Sequence, residues 1–182
     1  GGVYAGASRY ALGSLSDLGK LMGLAPYGQP GAFRHRIFDI RDGVTWQDGE
    51  EFTPEDVVFT LNMLKEFPAT DAQGVWGFIA SVESDDSTVT VRLQEPNVPA
   101  ASLIATTLIV PEHLWADVDD PASFRNPDPV GTGPYMLGNY APQQYTVDKY
   151  EDYWQADKVA ADHLILPANN TQLDVATKGY DW

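Results

Sequence analysis

The run Trp46-Gln-Asp-Gly-Glu-Glu-Phe-Thr-Pro-Glu-Asp-Val-Val58 constrains this chain more than any other stretch. Asp48-Gly49 is a turn pair, because glycine takes the positive φ that tight turns demand. Thr53 offers an N-cap hydroxyl, and Pro54 suits the first helical position with its fixed φ. Glu55 and Asp56 then sit at the positive end of the helix dipole. Behind them Val57, Val58, Leu61 and Leu64 recur at helical spacing until Pro68 stops the run. The pattern predicts a helix from Thr53 to Glu66 with one buried stripe, and such a stripe needs a sheet or a second helix to cover it.

The rest of the chain supplies the sheet. Phe33–Ile40 alternates loosely and reads as a strand, and Val75–Val82 and Thr88–Leu93 read as a hairpin around Ser84-Asp-Asp-Ser87. Asn97–Thr107 reads as helical, followed by a short strand and a turn led by Pro111, and residues 117–129 read as loop. Tyr135–Tyr140 and Tyr145–Tyr150 form a second strand pair, with His163–Leu166 a further strand. Thr171–Lys178 is expected as a last helix ending on Gly179. This interleaving predicts an α/β chain of mixed α+β type. Residues 1–31 stand apart, holding half of the 16 glycines and no amphipathic period. They are expected to be an atypical leader, adding little to the core of a domain over 32–182.

Composition removes several function classes. Lys and Arg total 11 against 26 Asp and Glu, a net charge of −15, and such a surface repels phosphate backbones and anionic lipid. Nucleic acid is therefore not expected as a partner, and no apolar run reaches the length of a membrane span. There is no cysteine, which removes thiolate metal sites and a Cys nucleophile, and the 3 His lie far apart in sequence. Gly131-Thr-Gly133 is followed by Pro134, which spoils a dinucleotide-binding glycine pattern, and neither Ser8 nor Ser14 stands in a nucleophile-elbow frame. Asp117-Val-Asp-Asp120 lacks the glycine and terminal glutamate of a calcium loop. No catalytic residue, cofactor or metal is expected. The aromatic side chains point elsewhere: Trp46, Phe59 and Phe67 read as core. Trp76, Trp115, Tyr135, Tyr180 and Trp182 stand near polar positions where a ring could stack on a ligand, with half-buried packing the competing reading.

Taken in order, these motifs resemble one family. Phe38-Asp-Ile-Arg-Asp-Gly-Val-Thr-Trp-Gln-Asp-Gly and the Thr53-Pro-Glu-Asp helix start are similar to the family 5 extracellular solute-binding proteins of ABC importers. Ile109-Val-Pro-Glu-His-Leu-Trp115, Pro129-Val-Gly-Thr-Gly-Pro-Tyr135, Asp152-Tyr-Trp154 and Lys178-Gly-Tyr-Asp-Trp182 follow in the family's order. The resemblance implies a periplasmic-binding-protein-like fold. On it, the chain is one lobe of a two-lobed cluster C solute receptor, truncated where the second lobe begins. It implies an extracellular or periplasmic location, a full-length protein that could carry a lipid anchor, and ABC permease subunits as partners. The ligand is expected to be an oligosaccharide, or else an oligopeptide. Leu166-Pro-Ala-Asn-Asn-Thr-Gln-Leu173 with Asp181-Trp182 is similar to the oligosaccharide-binding subgroup, where neutral amides and an indole face suit sugar hydroxyls and rings. The resemblance thus places Asn170, Gln172, Asp181 and Trp182 at the ligand. Two other readings stand beside it. Gly19-Lys-Leu-Met-Gly-Leu-Ala-Pro-Tyr-Gly28 resembles a loop of carbamoyltransferases, an enzyme class whose His and metal ligands this chain does not supply. The chain could also be an acidic interaction domain without a small-molecule ligand.

Overall fold

The computed structural model describes residues 34–167. Two antiparallel sheets of three strands organise them. The first is built from β1 (His35–Asp39), β2 (Ile79–Asp85) and β3 (Thr88–Leu93), with β3 in the middle. Phe38 lies opposite Val89, and Val82 opposite Val91, so the apolar positions of neighbouring strands share one face. Helix α1 (Pro54–Glu66) covers that face, with Val57, Leu61, Met63 and Leu64 buried and Val58 half-buried at the edge of the stripe. Each fully buried aliphatic side chain of this kind contributes about 1.5–3 kcal/mol.

The start of α1 is where Thr53 places it, and it forms a capping box with Asp56. Thr53 is the N-cap residue, and Asp56 supplies the reciprocal half of the box, its Oδ2 accepting the Thr53 backbone N–H at 2.9 Å. The Thr53 hydroxyl turns to the same carboxylate oxygen at 3.4 Å. A buried carboxylate one turn into the helix draws in the donors around it, so Asp56 anchors this end together with Thr53. Phe67 closes the helix with its N–H on Met63 O at 2.8 Å, and Pro68 blocks continuation.

The expected hairpin is present but shifted. Val75–Gly77 forms a short 3-10 turn, and β2 starts only at Ile79. Asp71 causes the shift, accepting the N–H of Val75 at 3.0 Å and of Trp76 at 3.1 Å, while Gly74 bends the chain at φ 63°. The helix expected over 97–107 is shorter, α2 (Ala100–Ala105), since Pro99 sits at its N-cap. In place of the expected short strand, Ile109 alone makes a bridge, and the chain passes on to the single turn α3 (Glu112–Trp115).

The second sheet is β4 (Tyr135–Ala141), β5 (Gln144–Lys149) and β6 (His163–Pro167), in that spatial order. A bulge between Leu137 and Asn139 takes in Gly138, where a Cβ would come within 2.6 Å of Asp148 Oδ2. None of its strand residues is buried. The mixed α/β architecture expected from the sequence is thus present, with the core on the first sheet. Trp46 lies at its centre, 0% exposed, its ring edge-on to Phe52 at 5.5 Å, while Phe59 and Phe67 pack half-buried against it.

Candidate functional site

The residues that the sequence assigns to the ligand, Asn170, Gln172, Asp181 and Trp182, lie outside the described residues, as do Tyr180 and the expected helix at 171–178. So do the leader and its Gly19–Gly28 segment. The described structure ends with β6, the strand that leads into that stretch.

The other three aromatic candidates are spent on packing. Trp76 donates its indole N–H to Leu61 O of α1 and lies under the Lys65 ammonium at 4.6 Å. Tyr135 donates its hydroxyl to Ala161 O at 3.0 Å, tying β4 to the approach of β6. Trp115 stacks edge-on against Phe124 at 5.0 Å and is 6% exposed. Sequence reasoning could not separate these cases, because a tryptophan beside polar residues looks the same whether its ring faces solvent or core.

Three chain segments meet at Asp56. Its Oδ2 accepts the Trp46 indole N–H at 3.1 Å as well as the Thr53 N–H, and its Oδ1 accepts the Glu112 N–H at 2.9 Å. One carboxylate thereby fixes the Trp46 ring, the start of α1 and the start of α3. Beside it Thr60, also buried, accepts the Val110 N–H at 3.0 Å, and the exposed His113 and Asp48 side chains meet at 2.7 Å. The motifs around Trp46 and around Pro111, distant in sequence, are thus one structural unit.

A second convergence joins the two sheets. The Gln47 N–H donates to Gly131 O at 2.9 Å, and its side-chain Oε1 accepts the Gly131 N–H at 3.1 Å. Its Nε2 reaches Gly133 O at 3.2 Å and Tyr135 O at 2.8 Å. Gly131-Thr-Gly-Pro therefore serves as a strap whose backbone is read by one glutamine, a use unrelated to phosphate binding. Tyr150, buried after β5, donates its hydroxyl to Trp46 O at 2.8 Å and lies 2.7 Å from the Thr45 hydroxyl. The Arg41 guanidinium stacks over Trp154 at 4.1 Å on the same junction. Farther off, burial lowers the pKa of Arg36, which still donates to Asn97 O at 2.8 Å.

Behind the C-terminal end of α1 lies a cavity of about 380 Å³. Met63 and Leu64, the 69–73 loop, residues 106–111, Trp115, Pro121, Asn126 and Val130 line it. No sequence signal announced it, although the Asn126-Pro127 pair marks the turn at its edge. Among the described residues no cluster of His, Asp, Glu or Cys side chains is placed to hold a metal ion. None of their helices is long and apolar enough to cross a membrane.

Comparison with known proteins places these elements in a family. Residues 34–179 match the model of the bacterial extracellular solute-binding proteins, family 5. A putative ABC transporter peptide-binding protein of Brucella ovis is 30% identical over 131 residues, covering 66% of this chain and 24% of that protein. The ABC transporter substrate-binding protein CtaP of Listeria monocytogenes superposes with a TM-score of 0.71 at 24% identity, over 82% of this chain and 32% of its own. The mannohexaose-bound periplasmic oligopeptide-binding protein of Thermotoga maritima gives a TM-score of 0.70 at 25% identity, over 80% and 28% respectively. The chain thus spans about a quarter to a third of the length of these relatives. The carbamoyltransferase likeness rested on Gly19–Gly28, which lies outside the family match. With its Trp46 turn, its capped helix and its Gly131 strap in the family's order, the chain belongs to the family 5 extracellular solute-binding proteins, a family of binders rather than enzymes.

Proposed function

We propose that the chain is part of the solute-capturing component of an ABC importer, outside the cytoplasmic membrane, and that its solute is an oligosaccharide. The observation that carries the first half is the family match over 34–179. The second half rests on the residues beyond β6. Asn170 and Gln172 offer neutral amides, Asp181 an acceptor pair and Trp182 an indole face, a set suited to sugar hydroxyls and a pyranose ring. A mannohexaose in the Thermotoga maritima relative supports it. In this reading residues 32–182 form one lobe, capture ends in closure against a second lobe, and closure is favoured by contacts the solute makes only in the closed state. Permease subunits then receive the loaded protein.

An oligopeptide is the second reading, favoured by the name of the Brucella ovis relative. Peptide termini demand charged partners, and the expected site offers Asp181 as its one charge. Tryptophan fluorescence distinguishes the two. A cello-oligosaccharide should perturb the emission with millimolar or weaker affinity, because a single lobe offers half the contacts. Trp182→Phe should remove that response. A response to short peptides alone supports the second reading, and silence toward both classes contradicts the assignment of a site to this chain.

A further inference from the structure

We propose that the open edge of β1 is a self-association surface, on which a second copy of this chain pairs its own β1 antiparallel. β3 lies in the middle of the first sheet, so β1 and β2 each leave one side unpaired among the described residues. Such an edge presents a row of backbone donors and acceptors ready to bond another strand. Leu93 N–H donates to Arg34 O at 2.6 Å, and Ile40 N–H to Ser87 O at 2.8 Å. Since bonded pairs alternate along an antiparallel ladder, the even-numbered residues of 34–40 face β3. His35, Ile37 and Asp39 therefore turn their N–H and C=O groups to the open side.

The side chains of β1 suit a twofold axis through Ile37. With Ile37 opposite its own copy, His35 falls opposite the partner's Asp39, and Asp39 opposite the partner's His35. All three side chains are exposed, Ile37 at 51%, and they share the sheet face turned away from buried Phe38. The Arg92 guanidinium lies 3.1 Å from His35 Nε2. A guanidinium only donates, so Nε2 accepts and the ring proton sits on Nδ1. That proton is a donor for the partner's Asp39 carboxylate. Within the chain, the Asp39 carboxylate has no side-chain partner among the described residues.

The other edges do not offer this. Self-pairing of β2 about Ser84 would set Glu83 against the partner's Asp85, and its ladder shifts register between Ile79 and Ser81. β4 is broken by its bulge, and β6 carries Pro167, which has no N–H to give. At the His35 end of β1, Arg36 donates to His35 O at 2.9 Å and to Asn97 O at 2.8 Å. His35 O therefore receives the partner's Asp39 N–H on its second lone pair. The net charge of −15 opposes the approach of two copies, so the pairing is weak, with a Kd of about 100 µM.

Sedimentation equilibrium between about 10 µM and about 1 mM should show a monomer–dimer exchange. The Ile37 and Asp39 amide resonances should move as the dimer forms, and those of Arg36 and Phe38, bonded to β3 throughout, should move less. Ile37→Pro removes a donor that β3 does not use, so circular dichroism should keep the fold while the dimer weakens at least about tenfold. His35→Asp sets two carboxylates together and should weaken it about tenfold as well. Combining His35→Asp with Asp39→Arg re-forms the pair with a new donor and should recover the original Kd within about threefold. A chain that stays monomeric at about 1 mM overturns the proposal. So do Ile37 and Asp39 amides already protected from exchange in the dilute monomer, which would place the chain's own residues on this edge. A dimer indifferent to Ile37→Pro, or one that the double variant fails to restore, overturns it too.

Discussion

The two sheets of this chain are alike in pairing and opposite in cover. Both are antiparallel and three-stranded, and both carry apolar residues at alternating positions. In the first, Phe38, Ile79, Val89, Val91 and Leu93 are buried beneath α1. In the second, Tyr135, Leu137, Tyr145, Val147, Leu164 and Leu166 lie on one face by register, and not one is buried among the described residues. Alternation is thus a property of the strand, whereas burial is a property of what lies across from it. Loss of a side chain should therefore be felt in proportion to cover rather than to hydrophobicity.

The largest effect is expected in the first sheet's cover. Leu61→Ala should lower stability by about 2–5 kcal/mol, since the side chain is 0% exposed and the cavity left behind cannot collapse fully. Asp56→Ala should cost about 3 kcal/mol, because the Trp46, Thr53 and Glu112 donors lose a charged acceptor at once. Urea unfolding reads both. A loss below about 1 kcal/mol for either would mean that the first sheet does not carry the core.

The Asp56 node also marks how far the sequence could be read. Thr53-Pro-Glu-Asp announced the helix because cap, proline and period are local signals, and the helix is found where they place it. That the carboxylate of Asp56 also holds Trp46 and Glu112 depends on a fold that brings position 112 beside position 56, which no spacing reveals. Asp71 displaced β2 in the same way, by bonding to residues ahead of it. The family signature was legible because Trp46, Gly131 and Tyr135 are recurring words. Their mutual bonding through Gln47 was not, since an exposed-looking glutamine after a tryptophan carries no mark. The cavity gathers residues from 63 to 130, which no spacing in the sequence brings together.

The junction between the sheets should give an intermediate effect. Tyr150→Phe removes the hydroxyl between Thr45 and Trp46 O and should cost about 1 kcal/mol. Hydrogen exchange should localise that loss to β4 and β5, leaving α1 protected; equal loss in both sheets would merge them into one cooperative unit. The smallest effect belongs to the second sheet's surface. Ile165→Thr, at a residue 65% exposed, should change stability by less than about 0.5 kcal/mol in urea unfolding. A larger penalty would place a cover on β6 and erase the contrast between the sheets.

That contrast bears on function, because β6 runs directly into the residues proposed for the solute. Mapping backbone amide shifts while cellohexaose is titrated into the chain tests this most directly. The account predicts shifts confined to residues 169–182, appearing only in the millimolar range, while the amides of Val89 and Val91 in the covered sheet stay still. No shift at tens of millimolar, or shifts centred on the first sheet, would contradict it.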